Sequence, residues 1–76
     1  MSSKNKISVV IEKDEFGYFA YCPELKGCHS QGNSLEEAIT NIKEAAELYF
    51  ETLSEDELRE IASQEILTTA VEVQSV

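Results

Sequence analysis

The sequence predicts an α+β fold of two layers, ordered β-β-β-α-(α)-β, and three observations carry that reading. Short β-branched and aromatic runs meet at a glycine-ended reversal. One long stripe of apolar residues recurs at spacings of three and four. A final β-branched run follows it. Seventy-six residues suit one domain, residues 1–76, with a thin core.

Residues 6–13 alternate at Ile7, Val9 and Ile11 and read as the first strand. Asp14, Glu15, Phe16 and Gly17 form a polar reversal of hairpin length. Tyr18 to Cys22 pairs antiparallel with the first strand and stops at Pro23, which has no amide hydrogen for a ladder. Pro23 to Gly27 is a loop, Cys28 to Gln31 a short third strand, and Gly32 and Asn33 close it.

Ser34 and Glu37 have capping-box spacing, so a helix is expected over about residues 35–52. Its core stripe is Leu35, Ala38, Ile39, Ile42, Ala45, Ala46, Tyr49 and Leu53. A second capping box, Ser54 with Glu57, opens a short helix through Leu58, Ile61 and Ala62. Ile66 to Val73 then reads as a last strand. That strand has two options: a right-handed crossover that lays it parallel beside the first strand, or pairing with another chain. The first is expected, because it covers a sheet edge.

Strand alternation bears on assembly. If Ile7, Val9 and Ile11 face the helix, Val10 lies on the opposite face with either Phe19 and Tyr21 or Tyr18 and Ala20. A single helix covers one side only. The apolar outer face left over predicts a homodimer or higher oligomer.

Fifteen acidic residues against six basic ones give a net charge of -9. Direct nucleic-acid binding is therefore not expected, since it needs cations to displace counterions. A basic partner protein would be steered onto the chain. No apolar run approaches the ~20 residues of a membrane span, and Met1 to Lys6 lead into no signal-type hydrophobic region. A cytoplasmic location without membrane contact is the expectation.

Cys22, Cys28 and His29 invite a zinc reading, but one such cluster without a second ligand group matches structural zinc poorly. Buried free thiols are expected instead. Cys28 and His29 are adjacent on a strand, so they point to opposite faces and cannot form a thiolate–imidazolium pair. Glu12, Asp14 and Glu72 are the carboxylates a two-metal nuclease would draw on. Three or four converging carboxylates cannot be assembled on core-facing positions, so no catalytic residue, metal or cofactor is assigned and the chain reads as a non-enzyme.

Together, the run Val9 to Asp14, the aromatic strand ending in Tyr21-Cys22-Pro23-Glu24-Leu25, the segment Gly27-Cys28-His29-Ser30-Gln31-Gly32 and the helix start Ser34-Leu35-Glu36-Glu37-Ala38 resemble the HicB-like antitoxins. The similarity covers roughly residues 7–50. It implies a reduced ribonuclease-H-like fold. It also implies a partner, a small basic HicA-like toxin that cleaves mRNA and whose active site the antitoxin occludes. Two departures stand out. Lys26 replaces a proline that often follows the Pro-Glu-Leu run. After the long helix the chain is too short and, with Arg59 its one base beyond Lys43, too acidic for the DNA-binding domain of many members.

The expected partner-binding surface combines Glu55, Asp56, Glu57 and Glu60 on the second helix with Phe19 and Tyr21 as apolar anchors. Two alternatives are a HicB-like self-assembling regulatory or structural module with another partner, and a vestigial metal-dependent nuclease.

Overall fold

A computed structural model describes residues 6–75. Strands β1 (Val10–Asp14), β2 (Gly17–Tyr21) and β3 (His29–Gly32) precede helices α1 (Leu35–Phe50) and α2 (Glu55–Ser63). The sheet is antiparallel with order β1-β2-β3, and α1 packs across β2 and β3. The described residues thus form an α+β fold of three strands and two helices.

The hairpin pairs Asp14 with Gly17 and, four residues further in, Val10 with Tyr21. Asp14 closes its turn by accepting a 2.8 Å hydrogen bond from the Phe16 amide. Gly17 has φ +132°, and a Cβ there would stand 2.9 Å from the Gly32 carbonyl oxygen, so glycine is required twice over. The first strand begins later than its alternation suggests. At this register Ser8 falls opposite Pro23, which cannot donate, and the Ser8 amide instead donates to the Glu24 carboxylate at 3.1 and 3.3 Å.

Between β2 and β3 the chain folds inward. The Leu25 amide donates to Cys22 O at 3.0 Å, the Cys28 amide to Leu25 O at 3.0 Å, and the Cys22 amide to Cys28 O at 3.1 Å. Two successive turns therefore drop Leu25, only 1% exposed, into the core between Cys22 and Cys28. Ala20, Ala38, Ile42 and Ala46 complete that core, with Leu25 and Ile42 its largest fully buried side chains.

Ser34 caps α1 by accepting from the Glu37 amide at 3.1 Å. The expected reciprocal bond shifts by one residue: Glu37 accepts from the Asn33 amide at 3.1 Å. At α2 the capping box is complete, with the Ser54 amide donating to Glu57 at 2.9 Å. The buried stripe of α1 is narrower than its sequence periodicity suggests. Ala38, Ile42 and Ala46 are buried, whereas Leu35 and Ile39 are 43% and 47% exposed. A sheet of three strands reaches only the middle of the stripe.

The expected last strand is the main correction. Residues 64–75 form no strand, and Leu67, Val71 and Val73 are 79–86% exposed. Among the described residues no strand neighbours the backbone of β1 on the side away from β2. Strand composition alone did not supply a partner edge.

Candidate functional surface

The register settles which residues look outward. Ala20 is buried under α1, so its cross-strand partners Ile11 and Ser30 share the helix side. Phe19 and Tyr21, with Val10, Glu12, His29 and Gln31 opposite them, take the other side. Of the two pairings open to the sequence, the outer face is therefore the one carrying Phe19 and Tyr21.

These side chains form one cluster. Phe19 and Tyr21 have ring centroids 6.1 Å apart, and Phe19 stacks with His29 at 5.6 Å and an interplanar angle of 27°. Around the hairpin tip a shallow cleft of ≈ 690 Å³ joins Glu12, Phe16 and Phe19 of the outer side to Lys13, Tyr18 and Glu37 of the helix side. Phe16 is 85% exposed at that tip. An aromatic platform edged by carboxylates suits a basic macromolecular surface: rings supply the desolvated contact, and charges supply steering and orientation. The sequence reading missed Phe16 because it was spent on the turn. A two-residue hairpin loop exposes both of its side chains, and that was the available signal.

The acidic quartet sits elsewhere. Glu55, Asp56, Glu57 and Glu60 are all exposed on α2, but two of them are engaged locally. Asp56 pairs with Arg59, and Glu57 accepts the Ser54 amide. That amide bond, seconded by the Ser54 side chain, holds the Glu57 carboxyl below its ordinary value of 4.5. Glu55 and Glu60 are left with no side-chain partner among the described residues. α2 lies on the chain after α1 and does not pack on the strands as α1 does. Phe19 with Tyr21 and the α2 carboxylates are two separate patches.

The cysteines and His29 part company. Cys22 and Cys28 are buried free thiols in the core, while His29 is exposed on the outer face. Burial, and secondarily the neighbouring Cys28, pushes the Cys22 thiol up to about 12, which keeps it protonated and a poor nucleophile or metal ligand. No cluster of three or more metal-ligating side chains exists among the described residues. Glu12 and Asp14 share the outer face, while Glu72 lies in the unpaired C-terminal segment rather than on a strand beside β1. No helix among the described residues is long and apolar enough to cross a membrane.

Fold and surface define an acidic α+β module with an aromatic outer sheet face. The family model described as the HicB-like antitoxin of bacterial toxin–antitoxin systems matches residues 7–74, and the chain belongs to that family. A UPF0150 protein of Helicobacter pylori is 54% identical over 67 residues, 88% of this chain and 93% of the relative. A UPF0150 protein of Synechocystis is 62% identical over 47 residues, 60% of each chain. One of Archaeoglobus fulgidus is 53% identical over 47 residues, 60% of this chain and 68% of the relative. No solved structure matches. Membership supports an antitoxin role, a toxin as partner in general terms, and a regulator rather than an enzyme.

Proposed function

We propose that the protein neutralises a small, basic, HicA-like mRNA-cleaving toxin by covering its active site. The observation that carries this reading is the family match over residues 7–74. Net charge -9 fits the role, because opposite charge raises the encounter rate of two small proteins. The same charge argues against direct contact with nucleic acid. The reading includes a cytoplasmic location, a single domain of reduced ribonuclease-H-like type, and self-association into a homodimer or higher oligomer.

Phe19 and Tyr21 anchor the toxin on the outer face, and the carboxylates of α2 guide its approach. Glu55 and Glu60 are the informative pair, because reversing them breaks neither the Ser54–Glu57 cap nor the Asp56–Arg59 pair. Glu55→Lys with Glu60→Lys should slow association at low salt and flatten its salt dependence. Phe19→Ala should speed dissociation instead. Stopped-flow mixing with a catalytically silenced toxin separates the two effects. Unchanged rates in both variants would remove these surfaces from the interface.

A further inference from the structure

One chain carries two unmatched halves of a β-sheet: a free strand edge and a free strand-like segment. The edge is β1. The Cys22 amide, just past β2, donates to Cys28 O, so Tyr18 and Ala20 of β2 direct their backbone groups toward β3 as Cys22 does. By alternation, residues 17, 19 and 21 bond β1 through Val10, Glu12 and Asp14. Ile11 and Lys13 therefore direct N–H and C=O outward, away from the sheet. The opposite edge is less available. β3 is four residues long, and Asn41 already donates to Gln31 O at 2.8 Å.

The segment is Ile66 to Val73. Alternation sorts it into Leu67, Thr69, Val71 and Val73 on one face and Ile66, Thr68, Ala70 and Glu72 on the other. The first set matches the apolar outer face of the sheet, and Glu72 would share a face with Lys13. Beyond the Gln64 amide, which bonds Ile61 O, the described backbone of this segment makes no hydrogen bond within the chain.

Where the segment lies favours another molecule over its own edge. Leu67, Val71 and Val73 of the segment are 79–86% exposed, and the chain has extents of 52 × 28 × 18 Å and a radius of gyration of 14.7 Å. A compact chain of this length has a radius near ~11 Å. We infer that residues 66–73 add as a fourth strand to the β1 edge of a second copy of this chain, reciprocally, in a two-fold dimer that exchanges its C-terminal segments. Each seam satisfies the outward backbone groups of Ile11 and Lys13 and removes an aggregation-prone edge. Eight extended residues expose on the order of 1,000 Å². Burying about half of that in each of two seams, against an edge losing a similar area, exceeds the ~1,200 Å² total of a stable interface. This rests on the self-association part of the proposed function and names its means.

The test uses the full chain and prolines, which remove a backbone donor. Lys13→Pro blocks the edge without touching the β1–β2 ladder. Thr69→Pro with Ala70→Pro blocks the segment whichever parity it uses. Light scattering should give a dimer for the parent and monomers for both variants, with far-UV circular dichroism unchanged. Mixing the two variants should restore a heterodimer through the one intact seam, seen by native mass spectrometry. A segment paired with its own edge would restore nothing. A second measurement does not depend on the prolines. A nitroxide on unlabelled Val73→Cys chains, mixed with ¹⁵N-labelled parent, should broaden the Ile11 and Lys13 amides at least severalfold. No broadening overturns the exchange. A dimer unmoved by either proline variant also overturns it, while leaving self-association standing through the aromatic face. A monomeric parent removes both.

Discussion

At the scale of single residues, the core is small enough that individual side chains decide stability. Three of its seven buried members are alanines and two are cysteines, so Leu25 and Ile42 supply most of the buried apolar bulk. Ile42→Ala should cost roughly 2–5 kcal/mol, a large part of the ~5–15 kcal/mol that holds a typical domain together. Urea unfolding followed by circular dichroism measures it, and a loss below about 1 kcal/mol would mean that the site collapses freely. Gly32 is the tightest backbone position. A Cβ there would stand 2.6 Å from the Ala38 amide nitrogen and 2.9 Å from the Glu37 carbonyl carbon, where β3 meets the first turn of α1. Neither neighbour is a flexible side-chain end, so Gly32→Ala should destabilise by roughly 1–3 kcal/mol. Lys26 works the other way. It precedes Gly27, whose φ of +78° marks the third position of a type II turn running from Leu25 to Cys28. Proline suits the second position, and no hydrogen bond recorded for this loop uses the Lys26 amide. Lys26→Pro should therefore stabilise by about 0.4–1 kcal/mol, and an unchanged or lowered midpoint would refute the turn assignment.

Among elements, α2 depends on its cap. The folded-state value of Glu57 is depressed, so its contribution to stability is complete above the ordinary value of 4.5. It is lost as pH falls through the depressed value. Wild type and Glu57→Ala should differ in helicity and melting temperature at neutral pH and converge at acid pH. A difference that persists at pH 2 would assign the effect to helix propensity rather than to the capping carboxylate. Both N-caps were legible in the sequence because Ser-x-x-Glu encodes local bonds within four residues, although only α2 forms the full box and at α1 Glu37 takes the Asn33 amide instead. The hairpin was legible for a similar reason: Asp14 and Gly17 settle it locally. The last strand was not. Ile66 to Val73 has strand composition, but a strand exists only where an edge receives it, and no local pattern names that edge. The width of the α1 stripe failed likewise, because burial of Leu35 and Ile39 depended on how far the sheet extends.

For the whole molecule, charge and resemblance point to a partner, and family membership agrees. The aromatic face was half legible. Alternation reduced it to two choices, and only the hairpin register put Phe19 and Tyr21 outside together. Their separation from the α2 carboxylates was not legible, since it depends on the path of the chain after α1. The most direct test of the central claim is a calorimetric titration of the full chain with a catalytically silenced, basic HicA-like toxin encoded beside it. Binding at nanomolar concentration, with growth of cells expressing the active toxin restored by this protein, is the predicted result. No heat of binding, and no rescue of growth, would contradict it and leave a HicB-like module serving a different partner.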